Sequence, residues 1–176
     1  IGNYSSGKMG FALAEACAER GAEVTLVAGP VSLKTHHPAI KRIDVESAGE
    51  MYQAAMTAFP SSDAAILCAA VADYRPENAS EQKIKRETEG EMTLHLVPNP
   101  DIAASLGAIK REGQVMVGFA LETNDEATHA EGKLKRKNLD FIVLNSLRDQ
   151  GAGFRCDTNK ITIIDNAGGV TSYPLK

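Results

Sequence analysis

The first residues of the chain combine the glycines and hydroxyl groups that a phosphate-binding loop needs. Ser5 and Ser6 offer hydroxyls, and Gly7 follows them directly. Glycine permits a positive φ and a close approach of backbone to ligand, and a helix starting at Lys8 would present unpaired N–H groups and partial positive charge to an anion. The loop therefore predicts an anion site, although a tight turn with a capping serine explains the same residues equally well.

Two common nucleotide-binding motifs fit this loop only in part. Gly2-x4-Gly7-Lys8 resembles a Walker loop, but Met9 stands where a hydroxyl residue would bind Mg²⁺. Only the Gly7-x-x-Gly10 half of a dinucleotide fingerprint is present, and Ala28-Gly29-Pro30 stands where a ribose-binding acid would end the next strand. The loop is therefore not a standard P-loop, and the incomplete fingerprint counts against an NAD(P)-dependent reductase.

Asp73 lies shortly after the apolar run Ala64–Ala70. In α/β sheets ligands bind beyond the carboxyl ends of the strands, where a carboxylate can accept hydrogen bonds from a ribose, a base amino group or a metal-bound water. The small side chains of Ala69 and Ala70 would leave backbone groups open to a pyrimidine edge. On pattern alone, a turn-forming or capping Asp and tight packing of the alanines are the commoner explanations.

Three lysines are candidate phosphate ligands. Lys133 and Lys137 are four residues apart on a predicted helix, so both ammonium groups could reach one polyphosphate. A solvated helix face, with Lys137 near the negative end of the helix dipole, explains the spacing more simply. Lys83 lies in a polar segment, where a single lysine is usually surface charge.

The segment Asn99-Pro100-Asp101-Ile102 is typical of a helix start. We expect Asn99 at the N-cap, Pro100 at the first helical position and Asp101 in the first turn. The unpaired N–H groups there form a second possible anion site, which ordinary capping explains equally well. Phe119, at a predicted strand end, could stack on a base, although a core Phe is commoner.

Hydrophobic periodicity predicts alternating helices and strands, which is typical of a parallel sheet. The predicted strands are Glu23–Ala28, Ile40–Val45, Ala64–Ala70, Val115–Ala120 and Phe141–Leu144. The predicted helices are Lys8–Arg20 (with Gly21 at C′), 48–59 (with Ser47 at the N-cap), 99–110 and 125–137. Lys83–Glu87 with Met92–Val97, and Lys160–Asp165 with Val170–Tyr173, predict two hairpins. The expected fold is α/β and Rossmann-like, with a mostly parallel sheet, helices on both faces and an antiparallel hairpin extension.

Composition narrows the possible functions. The chain has 176 residues, 43% hydrophobic and 24% charged, which suits one globular domain. A net charge of −4 without a long basic run argues against nucleic-acid binding. No apolar run is long enough to span a membrane, and no signal peptide is apparent. The three cysteines lack C-x-x-C spacing, which favours a reducing, cytoplasmic setting; with four histidines that lack metal-ligand spacing, they also make zinc and thiol catalysis unexpected.

Several motifs together resemble the phosphopantothenate–cysteine ligase family, in its bacterial CTP-dependent form. The match covers nearly the whole chain, in the family's order and spacing. The motifs that carry it are Asn3-x-Ser5-Ser6-Gly7-Lys8-Met9-Gly10, Ala69–Tyr74, Lys83-Ile84-Lys85, Asn99–Ile102, Val117–Thr123 and Lys133-x-x-x-Lys137-Asn138-x-Asp140. Such a set is much more specific than one glycine loop.

The resemblance implies an enzyme that joins 4′-phosphopantothenate to cysteine through an acyl-cytidylate formed from CTP, with Mg²⁺ or Mn²⁺. It implies that Asn3 stabilises the intermediate and that Lys83 closes over the active site. The implied nucleotide-binding residues are Ser5, Ser6, Gly7, Ala69, Ala70, Asp73, Asn99, Pro100, Asp101, Ile102, Phe119, Lys133 and Lys137. No residue is assigned as a metal ligand.

The resemblance also bears on the whole protein. It implies a homodimer, to which the hairpin from Lys83 to Val97 would contribute, and it raises the possibility of a fused flavin-dependent decarboxylase domain. Residues 1–176 are expected to form a single ligase domain that lacks its first strand and a C-terminal helix. A non-catalytic nucleotide-binding domain is the main alternative, and a reductase is the weaker one.

Overall fold

The computed structural model describes residues 5–78, 80, 82, 92–122, 126–146 and 159–175. Four helices lie in these ranges: α1 (Lys8–Glu19), α2 (Ala48–Ala58, continued by a 3-10 turn at Phe59–Ser61), α3 (Ile102–Ile109) and α4 (Glu126–Arg136). The strands there are β1 (Val24–Ala28), β2 (Ile40–Asp44), β3 (Ala64–Leu67), β4 (Tyr74–Pro76), β5 (Leu96–Pro98), β6 (Val115–Glu122), β7 (Phe141–Ser146), β8 (Ile161–Asp165) and β9 (Val170–Tyr173).

The central sheet has five strands in the order β3-β6-β7-β8-β9. β3, β6 and β7 run parallel, whereas β8 and β9 continue the sheet antiparallel. β1 and β2 form a separate parallel pair, and β4 pairs antiparallel with β5. The predicted α/β class with a mostly parallel central sheet is confirmed, because apolar strands alternate with amphipathic helices along most of the chain.

The main core lies on one face of the central sheet, against α3 and α4. Side chains alternate between the faces of a strand, so Met116 and Ile142 point into this core and are almost fully buried, as is Leu106 of α3. On the other face, Val117 and Phe141 line an open cleft of about 380 Å³. No described helix combines the length and apolar character needed to cross a bilayer.

Two predicted helix ends are confirmed in detail. Gly21 has φ 92°. Its N–H donates to Ala18 O, and the N–H of Ala22 donates to Cys17 O. This pair of hydrogen bonds is a Schellman motif, which satisfies carbonyl groups at the end of α1. At the start of α2, Ser47 Oγ accepts the N–H of Glu50 at 3.1 Å.

Other boundaries differ from the sequence predictions. β3 ends at Leu67 and its residues are alternately exposed, so the predicted strand buried on both faces through Ala70 is wrong. The reason is that β3 is an edge strand among the described residues, paired only with β6. Of the predicted strand Met92–Val97, only Leu96 and Val97 belong to β5, which pairs with Tyr74–Pro76. The predicted pairing with 83–87 stays a prediction. Residues 83–91 lie outside the described part.

Candidate functional site

Among the described residues, no side chain caps the N-terminus of α1. Gly7 occupies the N-cap position with φ 77°, a left-handed conformation that glycine adopts without steric cost. The N–H groups of Gly7 and Lys8 donate to Ser5 Oγ and Ser6 Oγ, each at 3.4 Å, so the serines shape the loop rather than cap the helix. The first turn contains no acidic residue. The start of α1 therefore keeps the positive field that attracts an anion.

The first turn of α1 packs against the segment that follows β3. A Cβ on Gly10 would lie 3.2 Å from Cys68 Sγ, and one on Gly7 would lie 3.2 Å from Val31 Cγ1. The start of α1 therefore lies beside Cys68, the residue that directly precedes Ala69 and Ala70 in the sequence. Burial raises the pKa of the Cys68 thiol, which keeps it protonated and agrees with a packing role.

Asn99 ties the end of the loop after β3 to the start of α3. Its backbone N–H donates to Asp73 O at 2.7 Å, and its side-chain Nδ2 donates to Ala72 O at 2.8 Å. Its Oδ1 accepts from Arg75 Nη1 at 3.3 Å, and the same nitrogen donates to Pro98 O at 2.8 Å. The backbone of Asp73 is therefore fixed while the residue itself is exposed.

α3 begins two residues later than the sequence pattern predicts. Asp101, not Asn99, is the N-cap, and its Oδ1 accepts the N–H of Ala104 at 3.0 Å. The prediction of Asn99 as N-cap with Pro100 at the first helical position is wrong because the Asn99 amide is engaged with Ala72 and Arg75. A carboxylate thus occupies this second possible anion site.

The carboxylate of Asp101 also forms an ion pair with Lys137. Lys137 Nζ lies 3.0 Å from Asp101 Oδ2, and the lysine side chain is only 22% exposed. Partial burial acts to raise the pKa of Asp101, but the hydrogen bond from Ala104 and the charge of Lys137 outweigh burial and lower it. Two predicted nucleotide ligands are thus brought together, and both oxygens of Asp101 have partners.

The remaining predicted residues are less closely grouped. Ile102 packs against the main core, and Lys133 is half-buried on α4. Phe119 lies within β6, opposite Val143, so its prediction as a strand-end residue is wrong; the strand continues through Glu122 because it pairs with β7 along that length. Asn3 and Lys83 lie outside the described residues.

Comparison with known proteins identifies the family. The family described as the DNA/pantothenate metabolism flavoprotein C-terminal domain matches residues 1–176. The chain belongs to this family. The resemblance to the phosphopantothenate–cysteine ligase domain of the bifunctional coenzyme A biosynthesis protein, predicted from the motifs, is confirmed.

The flavoprotein C-terminal family includes relatives longer than the chain. The chain is 58% identical to a cysteine/cysteine sulfinic acid decarboxylase of an unknown prokaryotic organism. This match covers 100% of the chain and 49% of the relative. The chain is 52% identical to the coenzyme A biosynthesis bifunctional protein CoaBC of Vibrio parahaemolyticus, over 93% of the chain and 41% of that protein. The crystal structure of the C-terminal domain of a CoaBC protein matches at TM-score 0.79 and 35% identity, covering 98% of the chain and 75% of that domain. The chain therefore spans half or less of the curated relatives.

Two residues outside the predicted set are Arg75, which contacts the site, and Asn145, which lies near the carboxyl end of β7. Arg75 holds Asn99 and Pro98 in place, and only its position two residues after Asp73 could have suggested this. Asn145, near the end of β7, has a buried Oδ1 without a hydrogen-bond partner in the described part of the chain. Sequence gives no signal for such an acceptor beyond its place at a strand end.

The described residues offer few metal ligands. They contain no group of three His, Cys, Asp or Glu side chains placed to hold an ion. Mg²⁺ usually keeps several waters and binds through one or two carboxylates and the phosphates of a nucleotide. The exposed Asp73 fits that limited role, whereas Asp101 is already bound to Lys137 and Ala104.

Proposed function

We propose that the chain is a CTP-dependent phosphopantothenate–cysteine ligase domain that acts in coenzyme A biosynthesis. The observation that carries the proposal is the uncapped N-terminus of α1 beside the segment Cys68–Ala70, which suits a triphosphate close to a nucleoside. Family membership and relatives named for coenzyme A biosynthesis support it. The decarboxylase relative is about twice as long, so its named activity need not reside in the matched half.

The reaction has two balanced steps. The carboxylate of 4′-phosphopantothenate attacks the α-phosphorus of CTP, which forms an acyl–phosphate bond and releases pyrophosphate. The amine of cysteine then attacks the acyl carbon, loses a proton and displaces CMP. Such chemistry requires alignment and charge stabilisation more than a covalent protein nucleophile.

The triphosphate is assigned to the loop before α1. Ser5, Ser6 and the N–H groups from Gly7 onward would donate to phosphate oxygens, and the left-handed Gly7 allows the close approach. Lys133 of α4 and Lys137, which directly follows that helix, would add positive charge. Mg²⁺, held mainly by the phosphates with Asp73, would supply further charge neutralisation.

The nucleoside is assigned to the segment that follows β3. Ala69 and Ala70 would offer backbone groups to the cytosine edge, and Asp73 would accept from the ribose or the base amino group. Asn99, Pro100, Asp101 and Ile102 would close the other side of this pocket. Phe119 would offer an aromatic ring for stacking.

Asn3 and Lys83 are assigned to catalysis. The side-chain amide of Asn3 would donate to the acyl oxygen, where negative charge develops as the cysteine amine attacks. Lys83 would approach the phosphates as the site closes. Both assignments rest on the motif resemblance.

The assembly is also part of the proposal. Met92 and Leu94 are 64% and 56% exposed next to β5, and such apolar side chains need a cover. A homodimer formed through this extension would provide it, and a monomeric mass by light scattering of the protein carrying this chain would reject it. A fused flavin-dependent decarboxylase domain and a cytoplasmic location fit the bifunctional relatives.

The reaction tests the proposal directly. The protein carrying this chain should release pyrophosphate from CTP with 4′-phosphopantothenate and Mg²⁺ in the absence of cysteine, and mass spectrometry should detect the acyl-cytidylate. Asn3→Asp should still form this intermediate but convert it slowly to the cysteine amide. CTP should raise the melting temperature more than ATP or NADP. A protein that binds CTP but releases no pyrophosphate would instead support a non-catalytic nucleotide-binding domain.

A further inference from the structure

Lys137 reaches the start of α3 from a backbone position near the other end of that helix. A Cβ on Gly107 would overlap with the carbonyl oxygen of Lys137, so the two backbones touch only because residue 107 is glycine. Gly107 lies six residues beyond Asp101, about 9 Å along the helix at about 1.5 Å per residue. The lysine side chain therefore runs along α3 to the N-cap.

Two hydrogen bonds with the C-terminal end of α3 fix the backbone next to Lys137. Asn138 has a left-handed φ of 52°, and its Nδ2 donates to Gly107 O at 3.0 Å. Lys110 Nζ lies 3.3 Å from Asn138 O. The base of the Lys137 side chain is thus set by α3, and the direction of its tip is set by Asp101.

The ammonium group ends close to the proposed nucleotide pocket. Asp101 is two residues from Asn99, whose N–H and side-chain amide bind the carbonyl oxygens of Asp73 and Ala72. An ammonium group has three donors, so Lys137 can keep its bond to Asp101 and still donate to a phosphate oxygen. Without Asp101, a lysine with its full rotamer freedom would have to be ordered by the nucleotide itself.

We propose that Asp101 is a positioning residue, which holds the ammonium group of Lys137 in place for the triphosphate of the nucleotide. The inference rests on the proposed function and refines it, because it assigns the Asp101 carboxylate, at the edge of the pocket, a role that acts on the triphosphate through Lys137. A purely structural ion pair would stabilise the fold without changing nucleotide affinity.

Substitution by Asn separates the charge of Asp101 from its capping role. Asn and Asp are similar N-caps, so Asp101→Asn should keep the bond to Ala104 and a melting temperature only slightly below the parental one. It should raise KM for CTP about fivefold to tenfold, the range expected for a displaced charge-assisted hydrogen bond. The turnover number and KM for 4′-phosphopantothenate should stay near parental values. Asp101→Ala should give the same KM change and also lower the melting temperature by about 3 °C.

A double-variant cycle on the whole protein completes the test. Lys137→Gln should raise KM for CTP at least as much, and adding Asp101→Asn to it should cause no further rise. Lys41→Gln, an equal charge change at an exposed position of β2, should leave KM unchanged. A parental KM in Asp101→Asn, multiplied effects in the double variant, or an equal effect of Lys41→Gln would each overturn the inference. A parental protein that uses no CTP would reject the proposed function itself.

Discussion

The N-termini of α1 and α3 lie beside the same segment after β3, but the surroundings of their backbone N–H groups differ. Gly7 is the N-cap of α1, no side chain in the described part of the chain caps this helix, and no acid lies in its first turn. Asp101 caps α3 and is itself paired with Lys137. The first helix start can accept an external anion directly, whereas the second already holds a carboxylate.

The difference shows that a helix N-terminus alone does not define a phosphate site. Serine and asparagine precede α1 and α3 respectively, and both segments read as capped helix starts in the sequence. In the structure the two helix starts differ in their N-cap residue, which is Gly7 in α1 and Asp101 in α3. We therefore expect the triphosphate at α1, with α3 contributing through the lysine that its cap holds.

The strongest test of the α3 arrangement is Gly107→Ala. The new Cβ would overlap with Lys137 O, which forces α3 and the Lys137 backbone apart. We expect a loss of about 3 kcal/mol in the free energy of unfolding, measured with urea. Gly132→Ala in α4 is the control, because no described residue lies within 4 Å of its Cβ and alanine should add up to about 1 kcal/mol. Equal stability of the two variants would show that the close approach is not needed.

Gly7→Ala tests the α1 side. The left-handed φ of 77° should cost about 1 kcal/mol of stability in any non-glycine residue, and the changed loop should weaken CTP binding at least about tenfold. Gly21→Ala provides a matched control at the other end of α1, with φ 92° and open space around its Cβ. Calorimetric titration should find parental CTP affinity in that variant. Similar losses of affinity in both would mean that backbone strain, not the cradle, sets CTP binding.

Acidification is expected to lower the stability of the fold by a smaller amount, through Asp140. Asp140 Oδ2 accepts from Met116 N–H at 2.7 Å and Lys110 Nζ at 2.6 Å; burial acts to raise its pKa, but these bonds outweigh burial and lower it. Because the folded pKa lies below the unfolded value of about 3.9, this stabilisation is present above about pH 4 and is lost as pH falls through the folded pKa.

Urea midpoints between pH 5 and pH 3 measure this loss. Asp140→Asn should be less stable than the parent at pH 5 and should lose less stability on acidification. Asp101→Asn should show smaller changes of stability with the same sign, because the Asp101 side chain is 49% exposed and that of Asp140 is 23% exposed. A parental slope in Asp140→Asn would contradict the assignment.

The sequence predicted the order of helices and strands, because local periodicity, Ser47 and Gly21 each specify their element. Prediction from sequence failed where contacts between distant segments determine a helix start or the burial of a strand. Asn99 is a good N-cap by type, but hydrogen bonds to Ala72 and Arg75, far away in sequence, remove it from that role. The burial of β3 was overestimated since an apolar run does not reveal that its strand lies at an edge.

The candidate site was predictable as a set of motifs but not as a geometry. Spacing placed Lys133 and Lys137 on one face, yet nothing in the sequence indicated that Lys137 would run along α3 to Asp101. That contact depends on Gly107, whose role is visible only when the two backbones are seen together. Contacts between distant segments carry no local pattern.

A crystal structure of the protein with bound CTP would show directly which helix start holds the triphosphate. We predict triphosphate oxygens within hydrogen-bonding distance of the N–H groups at the start of α1 and of the Ser5 and Ser6 hydroxyls, with Lys137 Nζ bound to both Asp101 and a phosphate. Triphosphate density away from residues 5–10, or at the start of α3 with Asp101 displaced, would contradict the account.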